Sequence, residues 1–67
     1  MPSDDVAQGI LWLLRHLGPQ AVSDLTASLG KPAATITSAL QGLSRDRRAE
    51  SFRSPRGVQW RIIPSTR

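Results

Sequence analysis

Side chains that donate hydrogen bonds recur along residues 31–48, KPAATITSALQGLSRDRR. Hydroxyl and amide residues come first and arginines follow: Thr37, Ser38, Gln41, Arg45, Arg47 and Arg48. All of these groups donate hydrogen bonds, and the guanidinium fork matches the oxygens of a phosphate group. The chemistry open to this set is therefore the binding of an anionic surface rich in hydrogen-bond acceptors.

Nothing in the sequence indicates a catalytic centre or a metal site. The chain has one histidine, His16, and no cysteine. Asp4 and Asp5 are neighbours at a predicted helix start and do not converge on one point, and no glycine-rich phosphate loop is present. Without a thiol or a second histidine, metal ligands are too few. The sequence predicts a protein that is not an enzyme and needs no cofactor, metal or small-molecule substrate.

Positive charge is concentrated in the second half of the chain. The formal net charge is +4, yet residues 1–30 carry one arginine against three aspartates. Residues 31–67 carry one lysine and seven arginines against Asp46 and Glu50. Such an excess on a small domain indicates a polyanion partner, most often nucleic acid. The alternative is that the charge serves solubility alone.

Length and composition predict one small domain spanning residues 1–67. With no disulfide available, stability has to come from a compact apolar core. No apolar run approaches the ~20 residues that a membrane span needs. The N-terminal MPSDD is acidic and does not resemble a secretory signal. We therefore expect a cytoplasmic protein, associated with nucleic acid and with no membrane partner.

The first half of the chain reads as two helices. Helix 1 is predicted over residues 4–17, capped by Ser3 and followed by Gly18-Pro19. Helix 2 is predicted over residues 24–29, capped by Ser23 and ended by Gly30. The apolar stripe of helix 1 comprises Val6, Ile10, Leu13, Leu14 and Leu17.

A third helix and a β-hairpin follow. Helix 3 is predicted over residues 32–45, with Pro32 in its first turn. Its apolar face comprises Ile36, Ala39, Leu40 and Leu43. Residues 49–63 predict a hairpin whose turn is Ser54-Pro55-Arg56-Gly57, and residues 64–67 form a tail. Beyond the turn, Val58, Trp60 and Ile62 alternate with polar residues, so Trp60 is expected to pack on helix 3.

The segments AVSDLTASLGKPAATITSALQGLSRDRRAESF and GVQWRII resemble winged helix-turn-helix DNA-binding domains, and the resemblance covers residues 6–63. They look like the core of MarR-type regulators and, more distantly, Z-nucleic-acid-binding domains. The resemblance implies an α+β fold of three helices and a two-stranded wing. It also implies that helix 3 enters the major groove of double-stranded DNA while the wing touches the backbone or the minor groove.

The resemblance assigns candidate DNA-binding residues to both elements. On and around helix 3 they are Lys31, Ala34, Thr37, Ser38, Gln41, Arg45 and Arg48, and on the wing they are Arg53, Ser54 and Arg56. Small side chains allow close approach to base edges, glutamine can pair with adenine, and lysine and arginine grip phosphate. The alternative is that the hydroxyl and amide residues form a solvated face only.

Several positions depart from the related families. Z-nucleic-acid-binding domains carry Asn and Tyr where this chain has Thr37 and Gln41, and a Pro-Pro pair where it has Gly57-Val58. We therefore do not expect recognition of left-handed DNA. The turn after helix 3 usually carries Gly but here carries Arg47, so we expect that turn to be built differently.

Leu11 and Trp12 lie off the apolar stripe of helix 1 and are candidate interface residues. A two-fold dimer through helix 1 would present two recognition helices to DNA. Alternatively, the domain is a protein-docking module that acts through this surface, or Trp12 simply folds under another segment. RNA binding ranks below both because no aromatic stacking platform is evident.

Overall fold

The computed structural model describes residues 2–64, with side chains from Asp5 onward. Three helices precede a two-stranded antiparallel sheet: α1 Pro2–Leu17, α2 Val22–Leu29, α3 Ala33–Arg45, β1 Ala49–Ser54 and β2 Gly57–Ile62. This order confirms the predicted α+β architecture of three helices and a hairpin. Of the predicted tail, only Pro64 lies within the described residues.

The starts of the helices differ from the predicted ones. Helix α1 begins at Pro2, so Ser3 lies inside its first turn and does not cap it. Helix α2 begins at Val22 and Ala21 takes the N-cap position. The Ala21 N–H donates to the Asp24 carboxylate at 3.1 Å. A carboxylate that reaches back in this way starts the helix before Ser23, which is therefore not its cap.

A short turn connects α2 to α3, as expected for a helix-turn-helix. Gly30 has φ +65° and its N–H donates to the Thr26 carbonyl at 2.8 Å, which closes α2. Pro32 is the N-cap residue of α3 rather than part of its first turn. Its carbonyl accepts the first helical hydrogen bond, from the Ile36 N–H, at 3.1 Å. The two helices are thus held close in sequence and in space.

The core is formed by one face of each helix and the start of the hairpin. Its fully buried large side chains are Ile10, Leu25, Ile36 and Leu40. Two predictions for α1 are wrong: Leu11 is only 3% exposed and belongs to the core, whereas Leu17 is 59% exposed. The end of β2 lies against α1 beside Leu11 and covers it. Leu17 is the last residue of its helix and no element covers it.

The hairpin packs against the helices at its base and extends past them at its tip. Trp60 and Ile62 are half-buried against the core, but Val58 is 55% exposed, so the prediction that it shares their burial is wrong. Gln20, between α1 and α2, forms an isolated antiparallel bridge with Trp60. That bridge ties the wing to the helical part of the molecule.

The turn after α3 has the left-handed backbone conformation that usually requires glycine, although an arginine occupies the position. Arg47 has φ +59°. The Arg48 N–H donates to the Leu43 carbonyl at 2.8 Å and the Arg47 N–H to the Ser44 carbonyl at 3.0 Å. This pair of bonds is the Schellman pattern. The expectation of a differently built turn is wrong, and the left-handed arginine costs on the order of 1 kcal/mol relative to glycine.

Candidate nucleic-acid interface

One row of side chains on α3 faces away from the core. Positions spaced by three and four residues share a helix face. The row consists of Ala34, Ser38, Gln41 and Arg45, all exposed, and it lies opposite the buried Ile36, Leu40 and Leu43. Thr37 is also exposed, at the edge of this face. The row presents small and polar side chains over most of its length and a guanidinium group at its end.

The N-terminal end of this row adjoins a groove between α1 and α3. Lys31, Ala34 and Ser38 line it together, with Val6 of α1 on the other side. The structure thus brings three of the sequence-predicted residues together, one of them a cation. Lys31 lies just before α3, where its ammonium group can reach a phosphate that approaches the helix.

The wing carries its cations at and near the tip. Arg53 pairs with Val58 across the hairpin. Because side chains alternate along strands, this pair shares the face that packs on the core through Trp60 and Ile62. Both members are exposed because the tip extends past the core. Arg56 is exposed in the turn itself.

Ser54 has a role within the turn. Its hydroxyl donates to the Gly57 carbonyl at 2.8 Å and accepts from the Arg56 N–H at 3.2 Å. A serine that bridges its own turn in this way sets the conformation of the residues between. The prediction that Ser54 contacts DNA remains a prediction, and its observed contacts position Arg56.

Arg61 lies on the opposite face of the hairpin and is engaged there. Its Nε donates to the Glu50 carboxylate at 2.7 Å, and its guanidinium lies 5.0 Å from the centroid of the Phe52 ring. Glu50 and Arg61 are directly paired across the strands. This is the only ion pair among the described residues. The arginines of α3 and of the wing tip therefore have no described carboxylate within 4.0 Å.

Arg48 lies between the α3 row and a second cleft. It lines a groove with Ser38 and Ala39 of α3 and, on another side, a cleft with Arg15 of α1 and Arg47 of the turn. The sequence predicts that Arg48 contacts phosphate beside helix 3, and this remains a prediction. The turn at Arg47 directs the chain away from the helix axis, so Arg48 has Arg15 as a further neighbour.

Two large apolar side chains, those of Val58 and Trp12, are exposed outside the α3 row. Val58 lies beside Arg53 and is exposed, although the alternation predicts that it shares the half-buried face of the strand with Trp60 and Ile62. The position of Val58 next to the turn could have indicated its exposure, because the tip of a hairpin often extends past the core. On α1, Trp12 is 55% exposed and stacks on His16 at 4.4 Å between ring centroids, whereas its proposed companion Leu11 is buried.

The part of the chain that the structure describes shows neither a metal-ligand cluster nor a membrane-spanning helix. No group of three or more His, Asp or Glu side chains there could hold a metal ion. None of the helices in residues 2–64 has the length and apolar character to cross a bilayer.

Comparison with solved structures relates the fold to known domains. Scans against protein-family models and curated proteins give no match. The Zα domain of PKZ from Carassius auratus, solved in complex with Z-DNA, superposes with a TM-score of 0.85 at 16% identity and covers 94% of this chain and 100% of that one. The DIP2311 protein from Corynebacterium diphtheriae gives a TM-score of 0.80 at 23% identity over 91% of this chain and 11% of its own. At these identities the similarity establishes the fold, and the protein is a winged helix domain.

Proposed function

We propose that this domain binds double-stranded DNA, with α3 in the major groove and the wing tip against the backbone, and that it acts as a small transcriptional regulator. The observation that carries the proposal is the exposed row Ala34, Ser38, Gln41 and Arg45 opposite the buried face of α3. We infer a binding role rather than a catalytic one. In this proposal the protein acts on DNA in the cytoplasm.

The side chains of the α3 row suit close contact with base edges. A helix enters the major groove only if its outer side chains leave room, and Ala34 and Ser38 are small. Gln41 can form two hydrogen bonds with adenine, and Ala34 can touch a thymine methyl group. Arg45 and Lys31 stand at the two ends of the row, where phosphates flank a groove. We therefore expect a preference for A·T-containing sites, because the row has no arginine before Arg45 that could read guanine.

The wing supplies the second half of the footprint. Arg53 and Arg56 are exposed at its tip and have no described carboxylate within 4.0 Å. Arg53 lies on the face of the hairpin that continues from the helical core, so a duplex held by α3 meets it. Phosphate contacts of this kind carry the salt-dependent part of affinity.

The proposed target is right-handed DNA. Similarity to a domain solved with Z-DNA supports a nucleic-acid partner in general. The residues that the Z-nucleic-acid-binding family uses on its recognition helix are replaced here by Thr37 and Gln41. Both are exposed on α3, where they can form hydrogen bonds but offer no aromatic ring.

A second candidate function is protein docking through α1. The exposed Trp12, stacked on His16, favours it, because a large aromatic side chain in solvent often marks a contact surface. The same surface would serve a homodimer that presents two copies of α3 to DNA. Leu11 is buried and contributes nothing to either role.

Fluorescence anisotropy with a random-sequence duplex at several salt concentrations tests the proposal. With three to five phosphate contacts, log Kd should change with log salt with a slope of about 3 to 5 in magnitude. The double variant Arg53→Gln/Arg56→Gln should lose about two units of that slope. Arg61→Gln is a matched control, since it removes a charge from the opposite face of the same hairpin.

The outcomes separate the two candidate functions. A steep slope that the wing variant reduces and the control retains supports DNA binding. No binding by the wild-type protein would contradict it. Loss of self-association or of partner binding in Trp12→Ala, in a protein that does not bind DNA, would favour the docking module.

A further inference from the structure

A cleft at the end of the molecule away from the wing tip collects three arginines. It lies where the end of α1, the turn after α3 and the end of β2 meet. Its lining residues include Leu11, Ile62, Ile63 and Pro64, which are apolar, and Arg15, Arg47, Arg48 and Asp46, which are charged. Three arginine residues from two distant parts of the chain therefore line one concavity together with apolar residues.

The backbone at Arg47 would favour a glycine. Each of the three helices is followed by a residue with positive φ: Gly18 at +85°, Gly30 at +65° and Arg47 at +59°. The first two are glycines, which adopt this conformation without steric penalty. At the third the chain holds an arginine in the same conformation. Arg47 lines the cleft, so a cationic residue occupies this strained position.

The charge of the cleft is not neutralised within the described residues. None of the carboxylates in this part of the chain lies within 4.0 Å of Arg15, Arg47 or Arg48, although Asp46 lines the same cleft. The lining residues carry three positive charges and one negative charge. Arginine residues beside apolar side chains suit a nucleic-acid phosphodiester. The phosphate oxygens can accept hydrogen bonds from the guanidinium groups, and the sugar can pack against the apolar side chains.

We propose that this cleft binds a backbone phosphate of nucleic acid, as a contact away from the wing tip and beside the α3 row, which it adjoins through the groove that Arg48 lines with Ser38. The inference rests on the proposed function, since both take nucleic acid as the partner. Arg15 and Arg48 form the two sides of the site, and Arg47 completes it from the strained turn. The contact enlarges the footprint of the domain beyond the elements that a winged helix presents through its recognition helix and wing.

Arg47→Gly is the decisive variant because it separates stability from binding. Glycine relieves the positive φ, so Tm should rise by about 4 °C or remain unchanged, and misfolding cannot explain a loss of binding. Duplex affinity should fall about 5-fold and the salt slope should fall by about one unit. Arg15→Gln, on the other side of the cleft, should give the same loss, whereas Arg61→Gln should not.

The measurements are thermal unfolding and anisotropy with the duplex in a salt series. Reduced affinity and slope in Arg47→Gly and Arg15→Gln, with stability retained, support the cleft. Unchanged affinity in both, while Arg53→Gln/Arg56→Gln loses binding, would overturn the cleft and leave the proposed function standing. Loss in the cleft variants with no effect of the wing variant would keep the cleft and contradict the assigned wing. No duplex binding by the wild-type protein would overturn both.

Discussion

Gln20 and Trp60 exchange two backbone hydrogen bonds, with N···O distances of 2.9 Å from the Gln20 N–H and 2.7 Å from the Trp60 N–H. These residues are distant in sequence and join the link between α1 and α2 to the middle of β2. The bridge places Gln20 alongside β2 as an isolated antiparallel pair next to the hairpin. It fixes the wing relative to the helices, and therefore relative to α3.

Removal of one bond of this bridge should loosen the wing. Gln20→Pro lacks the N–H that donates to the Trp60 carbonyl, so we expect a loss of about 1–3 kcal/mol in the free energy of unfolding. Gln20→Ala retains both backbone bonds and should change stability by less than about 0.5 kcal/mol. Chemical denaturation compares the two. Equal stability of both variants would show that the bridge is not stabilising.

The two glycines inside helices should respond differently to alanine. A Cβ at Gly42 would meet no atom within 4 Å, so Gly42→Ala should stabilise the fold by about 1 kcal/mol through helix propensity. A Cβ at Gly9 would lie 2.9 Å from Leu29 Cδ2, which has to move. We expect Gly9→Ala to gain little or nothing, because crowding offsets propensity.

A double variant measures that crowding directly. In a Leu29→Ala background, Gly9→Ala should recover the gain seen at Gly42→Ala, because the clashing methyl group is absent. Thermal unfolding of the four proteins of this cycle gives the coupling energy. A gain from Gly9→Ala in the wild-type background as large as at Gly42 would contradict close packing of α1 against α2.

The hydroxyl of Ser54 should stabilise the turn at the wing tip. Ser54→Ala removes the bonds to the Gly57 carbonyl and the Arg56 N–H, at a cost of about 0.5–1 kcal/mol for exposed bonds. Amide hydrogen exchange at Arg56 should become faster, and Ser54→Asn should restore part of the protection. If Ser54→Ala weakens duplex binding while exchange at the tip is unchanged, the hydroxyl contacts DNA instead.

The domain should not convert DNA to the left-handed form. Thr37 and Gln41 replace the asparagine and tyrosine of the Z-nucleic-acid-binding family on the exposed face of α3. Circular dichroism of an alternating dC-dG duplex should therefore retain its right-handed spectrum as protein is added. Inversion of that spectrum at stoichiometric protein would contradict the proposed target and assign this domain the binding mode of that family.

Local patterns predicted most of the fold. The spacing of Ile36, Leu40 and Leu43 predicted which face of α3 is buried, because a helix repeats at a fixed period. The Ser-Pro-x-Gly sequence predicted the turn of the hairpin, and in the structure Ser54 lies opposite Gly57. The exposed row of α3 follows from the same periodicity, so those candidate residues could be selected before the structure was known.

Features that depend on distant segments could not be predicted in this way. Leu11 is buried because the end of β2 covers it, and no pattern within α1 reports that. The bridge from Gln20 to Trp60 joins segments far apart in the chain. Arg48 meets Arg15 only because α1 and the turn after α3 end at the same side of the molecule. Such neighbours are a property of the assembled core.

DNA binding through α3 and the wing is tested most directly by an amide chemical-shift map of the labelled protein titrated with a short right-handed duplex. We expect the largest changes at Ala34, Ser38 and Gln41 of α3 and at Arg53 and Arg56 of the wing, with little change around Trp12. Changes centred on Trp12 and absent from α3, or no changes at all, would contradict it.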